Sequence, residues 1–363
     1  MFISKKYGIK TLGEYSYVLA ILTPLTILGS LQLKSYLLTA KSDIKSQAKW
    51  LRLIFPMTLI ILSSLILVWF QPVFITIYLA LAFIKWGEIW SDLANGLTQL
   101  ETGLSKVNKS IFIRYLSLSI TLFFIWMLNF ELTLTLIILA IVSCIIAIQD
   151  YYQSGLDMIR AERIGSYKTF KTTLSLSLSA LLTALLVNIP RYILKEYYSI
   201  ETVGLFSVLF YYYVIPSMVI NFSCQGLIQN MATISSHRLF LLITTLTIGV
   251  LAFSYFLVLH FFGEQITGLL YNSRMVLSSK ISLLIAISFF LGGVSSAMHY
   301  TLLGKNIYGI QLKTNILSSL LCLVSGFYLI AKFEIIGAFI SFILGLLVQL
   351  TMYINTYLKF KNE

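Results

Sequence analysis

Tyr7-Gly8-Ile9-Lys10-Thr11-Leu12-Gly13 returns half a chain later as Tyr198-Ser199-Ile200-Glu201-Thr202-Val203-Gly204, with Tyr, Ile, Thr and Gly in identical places and an apolar residue before each closing glycine. Each copy opens an apolar run that meets a proline a similar distance on, Pro24 in the first and Pro216 in the second, and Ser16 matches Ser207 at the same offset. A second correspondence links 103–151 with 304–353. Both read as glycine, basic residues, an apolar run, a Phe-Glu turn (Phe130-Glu131 and Phe333-Glu334) and a second apolar run ending in tyrosine. Self-similarity of this kind marks a chain built twice on one plan. The second copy is preceded by an apolar segment over about 172–190, long enough to cross a bilayer, while six residues precede the first. Equivalent halves lead us to expect about 20 more apolar residues upstream in the intact gene, a first membrane helix that this sequence lacks.

Composition assigns the class. The chain is 58% hydrophobic and 11% charged, with mean hydropathy +0.88. That is about half the charge of an average soluble domain. Eleven apolar segments reach spanning length, at about 15–33, 53–70, 72–90, 111–128, 131–149, 172–190, 203–226, 239–262, 279–303, 313–331 and 334–357. The links are too short for a catalytic domain. Backbone groups in hydrocarbon must be satisfied within their own segment, so the spans are α-helices. We expect an all-α, polytopic membrane bundle of about 11 helices in two pseudo-symmetric lobes, 1–165 with five helices and its first one missing, and 166–363 with six.

The net charge of +12 is distributed by side rather than gathered for nucleic acid. One set of alternate links, with the C-terminal tail, holds seventeen Lys and Arg, among them Lys34, Lys41, Lys45, Lys49, Arg52, Lys106, Lys109, Arg114 and Lys305. The other set holds eight, including Arg191, Lys195 and Arg274, and Lys85 falls inside a span. The richer side, and the C-terminus with it, is expected to be cytoplasmic. Cys144, Cys224 and Cys322 sit inside spans without pairing or metal-like spacing and read as small core hydrophobes. No metal or cofactor is implied.

Four stretches resemble one family: "YGIKTLGEYSYVLAILTPL" from Tyr7, "WSDLANGLTQLETGLSKVNKSIFIRYLSLSI" from Trp90, "NIPRYILKEYYSIETVGLFSVLF" from Asn188 and "FGEQITGLLYNSRM" from Phe262. They are similar to polysaccharide repeat-unit flippases of the Wzx type, in the multidrug/oligosaccharidyl-lipid/polysaccharide exporter superfamily. The resemblance covers nearly the whole chain, and each motif is loose. It implies a carrier in the bacterial cytoplasmic membrane that moves an undecaprenyl-diphosphate-linked oligosaccharide between leaflets by alternating access, for capsule or O-antigen synthesis. Lipid-linked oligosaccharide and membrane lipids would be its partners, with a polysaccharide polymerase and chain-length proteins as possible associates.

A diphosphate asks for shielded cations, and sugars ask for amides, hydroxyls and aromatic faces. Lys85, Glu88 and Asp92 are spaced by three and four and share one helix face, with Lys85 and Glu88 close enough to pair. They read as cavity residues, a structural ion pair or snorkelling groups, with Asp92 nearest an interface. Arg191 and Lys195 follow Asn188 and Pro190 on the side expected to be external; they would hold the diphosphate at the outer mouth or pair with Glu196 and Glu201. Arg114, with its counterpart Lys313, is a further cation or a cytoplasmic anchor. Asn221 and Gln225, four apart beyond Pro216, suit a sugar-lining stripe or interhelical hydrogen bonds. Trp69, Trp86, Trp90 and Trp126 read as interface anchors.

Other classes fit less well. The longest external link, about 263–275, has Glu264 as its only acid, so no catalytic residues are assigned. An ATP-driven pump would need a glycine-rich phosphate loop, which the sequence does not contain. The alternatives retained are a proton- or sodium-coupled multidrug exporter of the same superfamily and an inactive truncated relic.

Overall fold

The computed structural model describes residues 2–39, 44–163, 166–226, 237–271, 277–304 and 310–362. Lys41, Arg274 and Lys305 lie outside them. The described elements are helices: α1 (Phe2–Tyr7), α2 (Ile9–Ser30), α3 (Leu33–Thr39), α4 (Lys45–Phe70), α5 (Ile75–Thr102), α6 (Leu104–Met127), α7 (Leu132–Gln153), α8 (Ser166–Tyr197), α9 (Ile200–Gly226), α10 (His237–Tyr271), α11 (Ser279–Gly304) and α12 (Ile310–Asn362), with one 3-10 turn at Pro72–Phe74. An all-helical chain is what hydrocarbon demands, because every N–H then finds its carbonyl inside its own segment.

Ten helical stretches among the described residues are long and apolar enough to cross a membrane. One of them, Ile310–Lys359, is 50 residues long, more than twice what a bilayer needs. It doubles back at Glu334, whose φ of 51° and ψ of −123° break the helix. Gln349 donates to Asn315 at 3.1 Å, and a Cβ on Gly345 would meet the Ser318 carbonyl at 3.1 Å, contacts that only a hairpin permits. This single helix therefore holds both of the last two expected segments. The Tyr198 hydroxyl donates to the carbonyls of Ile330 and Ala331 at 3.2 and 3.1 Å, just before the break. Glu334 is exposed and sits in a backbone region that favours glycine. Glu334→Gly is expected to keep or raise the unfolding temperature and Glu334→Val to lower it, by about 1 kcal/mol each way in thermal denaturation.

Many apolar side chains face outward. Ile61, Leu62, Leu65 and Ile66 on α4 are each more than half exposed, a surface that lipid covers and water would not tolerate. Trp69 and Trp126 are exposed near helix ends, as expected of anchors. Trp86 and Trp90 are not. The segment expected to close near residue 90 continues to Thr102, because Leu93, Ala94, Leu97 and Leu100, good helix formers, carry the helix past its charges. Both indoles therefore fall mid-helix, edge-on to each other with centres 6.0 Å apart, and Trp90 is buried against Tyr151. Lys85, Glu88 and Asp92 also become central rather than terminal.

The chain forms two compact units. Val18–Ala184 is one, and Met1–Tyr17 with Leu185–Glu363 is the other. In the first, α5 packs most extensively on α7, and Leu31, Leu33, Leu93, Leu97 and Leu156 make a fully enclosed core. In the second, an aromatic core joins Phe206, Phe210, Tyr213, Phe339 and Phe342, with neighbouring rings 5.0–6.2 Å apart. Within this unit the two copies of the repeated motif meet each other. A Cβ on Gly13 would lie 1.9 Å from the Ile200 carbonyl oxygen, and one on Gly204 would lie 2.4 Å from that of Ile9. Each glycine receives the carbonyl four residues ahead of the other, so the contact is symmetric across the duplication. Close approach of this kind is how helices associate where lipid removes the hydrophobic drive.

Candidate functional site

Inside the unit Val18–Ala184 lies a cavity of about 360 Å³, within the range of small-ligand sites. Its lining includes Thr23, Thr26 and Ser30 of α2, Lys34 of α3, Lys85, Glu88, Asp92 and Asn95 of α5, and Arg114 and Tyr115 of α6. Helix periodicity explains the α5 row: positions 85, 88, 92 and 95 fall at intervals of three and four on one face. Lys85 donates to Glu88 at 2.7 Å.

Lys34 reaches the site by a break in its own span. Leu31 and Gln32 adopt left-handed φ of 48° and 46°, ending α2 and restarting the chain as α3. Broken spans that line cavities are a recurring device of membrane carriers, since the interruption brings side chains and helix ends inward. Lys34 then pairs with Asp92 at 3.2 Å. Gly96, one turn beyond Asp92, leaves room for the Lys34 stem, whose Cγ would lie 3.1 Å from an added Cβ.

Arg114 is buried near the middle of α6. Its Nη2 donates to Ser143 Oγ at 3.0 Å, and that hydroxyl donates to the Ile84 carbonyl at 3.1 Å, joining α6, α7 and α5. Gly87 makes the crossing possible, because a Cβ there would lie 2.7 Å from Ser143 Oγ and 2.9 Å from its carbonyl oxygen. The Arg114 Nε keeps no hydrogen-bond partner.

The α2 part of the lining has another character. Thr23, Thr26 and Ser30 donate their hydroxyl protons to the carbonyls of Leu19, Thr23 and Ile27, at 2.7, 2.9 and 2.7 Å. The oxygens of Thr23 and Thr26 are left with accepting lone pairs, while that of Ser30 already accepts from the Gln32 N–H at 3.3 Å and keeps one more. The lining thus contains ammonium and guanidinium donors on α3, α5 and α6 together with hydroxyls on α2. Its five charged residues are three cations and two carboxylates, and each carboxylate already holds a lysine.

The remaining expected residues lie elsewhere. Asn188 and Arg191 belong to the other unit, inside α8 rather than in a loop, and are buried there. Arg191 donates to Asn188 Oδ1 at 2.7 Å and Ser207 Oγ at 3.2 Å, and its guanidinium lies 5.1 Å from the Phe210 ring centre. Lys195 is half-buried on α8 and makes none of the three ion pairs found among the described residues, so of its two readings the pairing with Glu196 or Glu201 is not formed. Asn221 is half-buried on α9; Gln225 falls in the last turn of that helix, and its side chain lies outside the described residues. Lys34, Asn95 and the α2 hydroxyls were not anticipated. The hydroxyls carried a signal, a polar stripe at positions 23, 26 and 30 of an otherwise apolar helix. Lys34 carried none, as it reads as a link lysine.

No protein-family profile matches the chain. The capsular polysaccharide biosynthesis protein CapF of Staphylococcus aureus is 25% identical, over 95% of this chain and 90% of its own length. Among solved structures, lipid II flippase MurJ in an inward closed conformation aligns with a TM-score of 0.72 at 12% identity, covering 98% of this chain and 83% of that one. An inward-facing multidrug resistance MATE family transporter of the MOP superfamily gives 0.69 at 12%, covering 98% and 91%. At these identities the two structures establish the fold, which is the one the sequence resemblance led us to expect, that of a multi-pass membrane protein.

Proposed function

We propose that this protein is a flippase that carries a polyprenyl-diphosphate-linked oligosaccharide from the inner to the outer leaflet of the bacterial cytoplasmic membrane, for surface polysaccharide assembly. The observation that carries the reading is a cavity lined by both cations and hydroxyls. A diphosphate fits Lys34, Lys85 and Arg114, and sugar hydroxyl or amide protons fit the oxygens of Thr23, Thr26 and Ser30. The similarity to a capsular polysaccharide biosynthesis protein supports this substrate class. A multidrug exporter of the same fold is less favoured, because a cationic drug would want free carboxylates. Glu88 and Asp92 are each held by a lysine, while Arg114 is left over.

In this reading the protein performs transport and no covalent chemistry. The polyprenyl tail stays in lipid while the polar head crosses, and the C-terminus faces the cytoplasm, as the distribution of Lys and Arg suggests. Residues 1–165 and 166–363 act as the two lobes of an alternating-access carrier. Arg191 and Asn188 brace the second of these, and Lys195, Asn221 and Gln225 line its part of the path. A polysaccharide polymerase and chain-length proteins receive the exported units.

The test is mass spectrometry of lipids that copurify with the detergent-extracted protein from cells making a repeat-unit polysaccharide. Wild-type protein is expected to bring down a polyprenyl-diphosphate oligosaccharide. Arg114→Ala should retain about tenfold less, since a charge-assisted hydrogen bond contributes about 1.5–3 kcal/mol. No glycolipid on the wild type, or equal amounts on both proteins, overturns the proposal.

A further inference from the structure

Among the ten spans of the described residues, α6 is the most exposed to lipid: 11% of the residues in its apolar window are buried, against 17–61% in the other nine. Phe112, Phe123 and Phe124 are each more than half exposed. Lipid is as apolar as these side chains, so turning such a helix about its own axis meets little hydrophobic resistance. Yet α6 supplies Ile111, Arg114 and Tyr115 to the cavity, and a turn of the helix would carry all three away from it. Something other than apolar packing has to fix its rotation.

Two side-chain hydrogen bonds join α6 to α7. Arg114 Nη2 donates to Ser143 Oγ at 3.0 Å, and one turn earlier Ser110 Oγ donates to Asp150 Oδ1 at 2.6 Å. They do not constrain the helix equally. An arginine has a long, rotamer-rich arm and can keep its bond while the backbone beneath it shifts. Ser110 and Asp150 are short side chains with few torsions, so their bond ties backbone to backbone. It also has the length of a hydroxyl on a carboxylate, about 2.5–2.7 Å, a class roughly twice as strong as a bond between neutral groups. The short pair sets the rotation of α6, and the long arm follows it. Asp150 is kept there at a cost. It is 6% exposed within the span Leu132–Gln153, makes none of the three ion pairs among the described residues, and its Oδ2 has no hydrogen-bond partner. It lies in the last turn of α7, where the helix dipole disfavours negative charge, and it does not line the cavity. What offsets these costs is the bond it accepts from Ser110.

We propose that Asp150 is a positioning residue for anion binding: by holding Ser110 it fixes the rotation of α6 and aims Arg114, one turn further along, into the cavity. This rests on reading the cavity as an anion site. A carboxylate placed directly on Arg114 would also fix it, but would occupy the donors that an anion needs. Lys34 and Lys85 are engaged in that way, by Asp92 and Glu88. Acting through Ser110 and one turn of helix, Asp150 holds the guanidinium in place and leaves it only the neutral Ser143 as a partner.

The experiment is calorimetric titration of the full chain in lipid nanodiscs with inorganic pyrophosphate, alongside thermal denaturation. Asp150→Leu should bind pyrophosphate about fivefold more weakly, yet unfold at the same or a higher temperature, since an apolar group of similar volume replaces a buried carboxylate that has no cation. Asp150→Asn, which still accepts from Ser110 through a neutral oxygen, should lose about twofold. In an Arg114→Ala background Asp150→Leu should weaken binding no further, because the side chain it positions is gone. Ser110→Ala should match Asp150→Leu in affinity, and serves if the leucine variant does not fold. Binding at wild-type strength by Asp150→Leu or Ser110→Ala overturns the proposal. So does a loss that persists without Arg114, or a leucine variant that unfolds at a lower temperature, since either assigns Asp150 to the fold alone. Wild-type protein that binds no pyrophosphate overturns the anion reading of the cavity, and the positioning role with it.

Discussion

Gly204→Leu is expected to abolish polysaccharide export while leaving the protein at normal abundance in the membrane. The clash is with backbone. A Cβ on Gly204 would sit 2.4 Å from the Ile9 carbonyl oxygen and 3.1 Å from the Gly13 nitrogen, and no rotamer change relieves either contact. The two helices have to separate by about the shortfall from van der Waals contact, and the packing of Leu12, Val203 and Phe206 around the crossing loosens with them. Overpacking a tight interior costs about 1–3 kcal/mol, and a side chain as large as leucine at a backbone contact belongs at the upper end. Insertion should survive because leucine makes the span more apolar than glycine does. Export in a strain depleted of its own flippase, with immunoblotting of membranes, reads both effects. Gly13→Leu should match it, as the reciprocal contact at 1.9 Å is closer still. Full export by either variant would show that this crossing is not needed for transport.

Gly87→Val should be nearly as damaging by a different route. Gly87 lets α7 come close enough for Ser143 to hold Arg114 and to bond the Ile84 carbonyl. A branched side chain there collides with the Ser143 backbone, parts α5 from α7, and removes Arg114 from its seat. Pyrophosphate affinity should fall at least about tenfold and the unfolding temperature should drop. Ser143→Ala is the control that separates the two consequences. It deletes the hydrogen bonds without moving the helices, so it should weaken anion binding about threefold with little change in stability. If Gly87→Val binds pyrophosphate as tightly as wild type, Arg114 does not depend on this bracket.

Glu88 and Asp92 show how far sequence reading reaches in such a chain. Their sharing of a face with Lys85 follows from the helical period and needs no tertiary information. Their depth did not follow. The apolar run stops near Trp90, yet α5 continues to Thr102, so residues at the end of the apolar run occupy the middle of the helix. Hydropathy registers charge as an ending, whereas a charge facing a cavity can sit anywhere along a helix. Arg191 shows a related limit. The sequence leaves it between a diphosphate cation at an outer mouth and a partner of Glu196 or Glu201, while in the structure it is a helix residue held by an amide, a hydroxyl and aromatic faces.

The amino-acid sequence by itself determined that this chain is a bundle of membrane helices, that the motif at Tyr7 recurs at Tyr198, and that Lys85, Glu88 and Asp92 align. These properties depend on composition and on spacing within one helix, where geometry is set by the backbone. Only the tertiary structure decided that the two copies of the repeat close on each other through Gly13 and Gly204. It also decided that the turn at Leu31 and Gln32 brings Lys34 to Asp92, and that Arg52 is enclosed without a partner. Which faces meet is a question of packing between segments far apart in the chain, and in a span where nearly every residue is apolar the local pattern carries little record of the neighbour it will find.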